Sequence, residues 1–110
     1  MLMPLIDIPF SVIHLYQKPI SLRVGEQRLI ELCRTELNRE PDIDELFLFY
    51  NRKRDTLKLF WLTGTGTQEI SKMLPRGGFL LPAPQSGHTF VRIERSKLNS
   101  LFRSCRIAVP

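Results

Sequence analysis

Cysteine and histidine are scarce in this chain, two of each in 110 residues. Cys33 and Cys105 stand alone, without the CxxC spacing of a metal or redox site and without the dense framework of a disulfide-held secreted domain. Cys33 falls on what reads as the apolar face of a helix, so it is expected to be a small buried hydrophobe. His14 and His88 have no partner at ligand spacing, and neither a metal nor a cofactor is expected. Long apolar runs are missing too, since no stretch reaches the roughly 18 uninterrupted apolar residues of a membrane span. The apolar start "MLMPLIDIPFSVIHLYQKP" lacks a basic leader and carries Pro4, Asp7 and Pro9 inside the would-be hydrophobic segment, so it reads as part of the fold. A soluble, cytoplasmic protein with no membrane partner is expected. A hydrophobic content of 43% and a charged content of 25% are ordinary for a globular protein. A length of 110 residues suits one core, so a single domain over residues 1–110 is expected.

Acidic residues are missing from most of the second half. Residues 1–45 hold five Lys/Arg against eight Asp/Glu, whereas residues 46–110 hold eleven against three. The net charge of +5 is therefore a mild negative excess followed by a strong positive one. Such asymmetry favours a polyanionic partner, although a charge-rich solvated surface would read the same way.

Local patterns predict the elements. "FSVIHLYQ" (residues 10–17), rich in aromatic and β-branched residues and bounded by Pro9 and Pro19, predicts a strand. From Glu26 to Glu40 the apolar residues Leu29, Ile30, Cys33 and Leu37 recur on one helical face, widened by Leu32, between Gly25 and Pro41. Glu31 and Arg34, and likewise Glu36 and Arg39, are spaced to pair on the outer surface of that helix. Leu46 to Tyr50 and Leu57 to Leu62 predict an antiparallel hairpin around the polar link "NRKRD" and Thr56. Lys58 then shares a face with Phe60 and Leu62, opposite Leu57 and Leu59, and sits there either at a solvated edge or in position for a ligand.

After "LTGTGT", the spacing of Ile70, Met73 and Leu74 predicts a short helix capped by Thr67 and ended by Pro75, Gly77 and Gly78. An apolar patch at "FLL", a Pro-rich loop, a strand at "TFVRI" and a helix over 95–103, with Ser96 as a possible N-cap, complete the chain. The expected fold is a single α+β domain in the order β-α-β-β-α-β-β-α, with helices packed on a mostly antiparallel sheet.

Catalytic constellations are thin. Gly64 and Gly66 make a GxG without the remainder of a phosphate loop or a dinucleotide fingerprint. An anion docking at the start of the predicted helix stays open beside a plain turn and cap. Metal nucleases need several converging carboxylates, yet most acids here lie along the first half of the chain. No base is tied by motif to a serine or cysteine, so no enzyme is expected. Basic residues are the stronger signal. Arg52, Lys53 and Arg54 are consecutive at a turn, Lys58 lies on a strand, Arg76 sits in a Gly-rich turn, and Arg92, Arg95, Lys97, Arg103 and Arg106 crowd the C-terminal region. Phosphate contacts draw on such cations with little demand on sequence. Tyr50, Phe60 and Trp61 near the cluster are placed either to stack on bases or to fill the core.

An ordered series of motifs then resembles a known family. "YQKPISLRVGEQRLIEL", with Arg23, Gly25 and Leu29, is similar to a strand, Pro, "DMRKG" and amphipathic helix. "LFLF", "NRKRD", "TLKLFW" and "TGTG" follow the order "LFVF", basic turn, "D-x-x-K-x-L-x-W" and "DGxG". "KMLPRGGFLLP" resembles "KRLExGxFxWP", and "KLNSLF" a closing "L-x-x-LL" helix. Over roughly residues 12–103 the chain thus resembles the small TnpB-type accessory protein, the second open reading frame, of the bacterial IS66 insertion sequences. Ser21, Val24, Thr63, Thr67 and Leu81 depart from the pattern, which marks a divergent member and removes two acids whose roles cannot be carried over.

The resemblance implies a protein of transposition that accompanies a separate, larger transposase carrying the acidic catalytic residues. The expected function is a non-catalytic accessory role, contacting DNA or a transposase–DNA complex through a basic hairpin surface. Arg52, Lys53, Arg54 and Lys58 are the expected phosphate contacts, with Arg23 and Arg76 in support. The alternatives are a module that binds the transposase without touching DNA and, with less to favour it, a metal-dependent nuclease.

Overall fold

In the computed structural model, which describes residues 10–103, Val12–Tyr16 form β1 and Glu26–Leu37 form α1. Glu45–Tyr50 form β2, Thr56–Leu62 β3, Thr67–Met73 β4, Phe90–Arg92 β5 and Arg95–Arg103 α2. The five strands make one sheet in the order β4-β3-β2-β1-β5. β1 and β2 run parallel, joined by α1 as a crossover, while the other three pairings are antiparallel. The mostly antiparallel α+β expectation is met in this mixed form.

Both faces of the sheet are covered. On one, α1 lays Leu29 and Cys33, each fully buried, against Tyr16, Phe47, Phe49 and Phe60. On the other, Leu98 and Leu101 of α2, together with Leu74 and Phe79 from the chain after β4, pack on Ile13, Leu15, Leu46, Leu48, Leu57 and Leu59. The two-sided cover explains why "ELFLFY" is buried at every position of β2. A strand with one face in water would alternate instead. Each fully buried Leu or Phe contributes about 1.5–3 kcal/mol relative to exposure, which makes β2 and β3 the centre of stability.

α1 begins after Gly25, whose carbonyl accepts from the Arg28 and Leu29 N–H groups. It ends at Leu37 because Asn38 turns left-handed at φ 58°, three residues before the Pro41 that the sequence suggested as the stop. Arg34 does pair with Glu31, at 3.2 Å. Arg39 pairs not with Glu36 but with Glu45, at 2.6 Å. In α2 the Glu94 carbonyl, and not Ser96, receives the first helical N–H groups, from Lys97 and Leu98.

The expected helix after "TGTG" is the strand β4. Thr63 N–H donates to the Gly66 carbonyl at 2.7 Å, folding the chain straight back so that all seven residues of β4 pair with β3. A two-turn helix is marginal alone and would forfeit that ladder. The helical spacing of Ile70, Met73 and Leu74 does not mark one face: Ile70 lies against the core and Leu74 is buried beyond the strand, whereas Met73 is 69% exposed. The anion site imagined at that helix start goes with the helix. The additional strand that the eight-element order requires before "TFVRI" is also absent, since no helix or strand lies between Met73 and Phe90. The order is therefore β-α-β-β-β-β-α.

Candidate nucleic-acid interface

The parallel pairing of β1 and β2 brings the C-terminal ends of β1, β2 and β4 to one end of the sheet, with the N-terminal ends of β3 and β5. The turns there carry Lys18, Arg23, Arg52, Lys53, Arg54 and Arg76, with Asp55 the one acid among them, and all six cations are exposed. At the other end, the turns 38–44, 63–66 and 93–94 carry Glu40, Asp42, Asp44 and Glu94 against Arg39 alone. The fold thus turns a charge asymmetry along the chain into a polarity in space.

The β2–β3 tip is held by its own polar side chains. Asn51 Oδ1 accepts from the N–H groups of Asp55 and Thr56, both at 3.1 Å, and Asn51 Nδ2 donates to Asp55 Oδ1 at 2.7 Å. The bond from Asn51, with a second from the Thr56 hydroxyl to Asp55 Oδ1 at 3.1 Å, holds the Asp55 carboxyl below its ordinary value. Arg54 takes the left-handed conformation at φ 61° that closes the turn, and its guanidinium lies 5.6 Å from the centre of the Tyr50 ring. Three exposed cations are therefore displayed from an ordered loop.

Arg76 is drawn to the same place by backbone bonds. Leu74 N–H donates to the Asp55 carbonyl and Phe79 N–H to the Arg54 carbonyl, each at 2.8 Å. The "RGG" run makes this approach possible: Gly77 has φ 69°, and a Cβ on Gly78 would stand 3.1 Å from the Arg54 carbonyl oxygen. Arg23 arrives on the loop between β1 and α1, where Ile20 N–H donates to the Tyr50 carbonyl at 2.9 Å.

Lys58, expected beside these residues as a phosphate contact, is placed elsewhere. It is 5% exposed, under the loop that leads into α1. Its ammonium donates to the Leu22 carbonyl at 2.9 Å and lies 3.5 Å from Glu69. The face assignment with Phe60 was right, but the residue ties loop to sheet and does not reach the tip surface. Tyr50, Phe60 and Trp61 are 4%, 0% and 8% exposed, so the core reading holds for all three. Arg103 side-chain contacts, Cys105 and Arg106 lie outside the described residues. Lys18 was not singled out beforehand, because only the parallel pairing of β1 with β2 shows that it belongs to the basic end.

Several cations elsewhere are committed. Arg34 pairs with Glu31 and Glu40, and Arg39 holds Glu45 with its two terminal guanidinium nitrogens at 2.9 and 2.6 Å. Among the described residues, Arg23, Arg52, Lys53, Arg54 and Arg76 form no ion pair.

At the acidic end, His14 on β1 meets Glu45 on β2, Nε2 to Oε2 at 2.7 Å, stacked on Phe47. The Asp42 N–H also donates to Glu45, at 2.8 Å. Burial works to raise the Glu45 pKa, but the bonds from Arg39, His14 and Asp42 outweigh it and hold the carboxyl at about 2. Burial lowers the His14 pKa against the pull of Glu45, so the ring is neutral at pH 7 and donates from Nε2. Nothing in the sequence flags this pair, since its members are 31 positions apart. Cys33 is buried as expected, and burial pushes its thiol up to about 12, which leaves it unreactive. Among the described residues no three His, Cys, Asp or Glu side chains are grouped to hold a metal, and no helix is long and apolar enough to cross a membrane.

A small α+β protein with six exposed cations gathered at one end of its sheet is the class of molecule these features define. The family model described as IS66 Orf2 like protein matches residues 11–110, and the chain belongs to that family. It thereby stands among the accessory proteins of IS66 transposition, as its motif series implied. No curated protein and no solved structure matches the chain.

Proposed function

We propose that this protein is a non-catalytic accessory factor of DNA transposition that contacts DNA, or a transposase–DNA complex, through the basic end of its sheet. Arg52, Lys53 and Arg54 are the principal phosphate contacts, and Arg23 and Arg76 extend the surface. Lys58 contributes indirectly by anchoring the loop that carries Arg23. The observation that supports this reading best is the gathering of six exposed cations, Lys18, Arg23, Arg52, Lys53, Arg54 and Arg76, on neighbouring turns with Asp55 as the one acid among them. Exposed, unpaired cations on an ordered turn serve little purpose in folding and suit phosphates well.

Fluorescence anisotropy with a labelled duplex, titrated with salt, tests it. Three to five phosphate contacts give a slope of about −0.9 per contact, so affinity should fall about 40- to 500-fold between 50 and 200 mM salt. Absence of binding at about 50 mM salt would remove direct DNA contact.

The reading without DNA contact, in which the chain binds the transposase alone, draws on a different observation. Ile43 is 60% exposed between Asp42 and Asp44, beside a cleft lined by Phe10, Trp61 and Leu62. Co-purification with the transposase that survives neutralisation of Arg52, Lys53 and Arg54, but not Ile43→Ser, supports that reading over the first.

A further inference from the structure

We infer that the basic end takes double-stranded DNA by its phosphates, and does not take a single strand by stacking on its bases. This rests on the DNA-contact reading above and narrows it to one form of the ligand. Proteins that hold single strands pair a positive groove with aromatic faces on which successive bases stack, each worth about 1–3 kcal/mol. No such faces are offered here. Tyr16, Tyr50, Phe60, Trp61 and Phe79 are all buried, Phe90 is half-buried with its ring packed against Tyr16, Phe47 and Phe49, and among the described side chains His88 is the exposed ring at this end. One imidazole is not a platform for a run of bases.

The crevice that Tyr50 and Arg54 form with Leu81 and Pro82 encloses about 10 Å³. That is room for about one water, not for a base turned out of its helix. The tip also lacks a free side-chain amide to read an adenine edge, because Asn51 is spent on Asp55 and Thr56.

Breadth favours a duplex as well. The cations stand on turns that leave β4, the β2–β3 connection and β1, and neighbouring strands are about 4.8 Å apart. They are therefore spread over about 14 Å, comparable with the roughly 12 Å width of the major groove, so phosphates on both strands fall within reach. The backbone bonds among residues 54, 55, 74 and 79, with the one from Ile20 to Tyr50, fix that spacing before any ligand arrives.

The test is a comparison made with the full chain at about 50 mM salt: a labelled duplex of about 30 base pairs, its separated strands, and a second duplex of unrelated sequence. The duplex is expected to bind at least about 5-fold tighter than either strand, and the two duplexes within about 3-fold of each other. Arg23→Gln and Arg76→Gln should each make the salt slope shallower by about 1. Equal or tighter binding of a single strand, or a preference above about 10-fold between the duplexes, overturns the inference and leaves DNA contact standing. Binding to neither form removes both.

Discussion

Where β2 turns into β3, Arg52, Lys53 and Arg54 are exposed and unpaired, held by bonds from Asn51 and by backbone links to the chain after β4. At the opposite end Glu45 is 3% exposed and receives Arg39, His14 and a backbone N–H, so that its charge is fully answered from within. Charge at the first end is available to a partner, while charge at the second holds β1, β2 and the end of α1 together. The contrast teaches that the value of a charged residue here depends on what the fold places opposite it, not on its position in a run of like residues. Lys58 makes the same point within one strand: it lies four residues from the tip cations, yet it belongs with the internally bonded set.

Breaking the acidic end should have the largest effect on stability. Glu45→Gln leaves the Arg39 guanidinium without its carboxylate, and the expected loss is about 3 kcal/mol, at the low end for a buried pair because Arg39 is half exposed and can turn to water. Urea unfolding followed by circular dichroism measures it; a loss under about 0.5 kcal/mol would show that this network is not holding the strands.

Acid should act on the same end. The Glu45 carboxyl is held at about 2 against an ordinary 4.5, so its stabilising contribution is present above pH 4.5 and is lost as pH falls through that interval. His14, held below 6.5 by burial, adds to the trend, since the unfolded chain takes up that proton first as pH drops below 6.5. The melting temperature should therefore decline from pH 6.5 towards pH 3, and decline less steeply in Glu45→Gln. Parallel profiles for the two proteins would place the acid sensitivity elsewhere.

Lys58→Met leaves the Leu22 carbonyl without its donor and should cost about 1–2 kcal/mol. Gly77→Ala puts a side chain on a residue at φ 69° and should cost about 1 kcal/mol while loosening the turn that carries Arg76. Neutralising the tip should cost least. A triple variant with Arg52→Gln, Lys53→Gln and Arg54→Asn keeps a residue tolerant of the left-handed conformation at 54, and is expected to stay within about 0.5 kcal/mol of the parent. Its affinity for duplex DNA should nevertheless fall by at least about 10-fold in the anisotropy assay. If instead the triple variant unfolds as readily as Lys58→Met, the tip cations are part of the fold and the contrast between the two ends collapses.

Much of this architecture was legible from local patterns. The apolar stripe through Leu29 and Cys33 marked α1, and two apolar runs around "NRKRD" marked the hairpin, because short-range periodicity reports which face of an element is buried. β4 was misread because Ile70, Met73 and Leu74 fit a helical stripe by coincidence, and seven residues are too few for periodicity to separate a helix from an edge strand whose stability comes from its neighbour. The site was legible in part. Arg52, Lys53 and Arg54 show as a basic turn in the sequence, but whether a cation is free depends on the carboxylates and carbonyls near it in space. No spacing reveals that Leu22 would be opposite Lys58, or that Lys18 and Arg76 would share an end with the tip.

By itself the sequence determined that one α+β domain forms, that positive charge gathers in its second half, and that the motif series belongs to the IS66 Orf2 like family, since composition, periodicity and motif order are all local properties of the chain. Only the tertiary structure decided which charges are spent and which are left over. Pairing β1 with β2 in parallel sends the turns bearing Lys18, Arg23, the tip and Arg76 to one end, and buries Glu45 against His14 at the other. Strand direction and register are relations between distant segments, settled by the burial of both faces of the sheet at once.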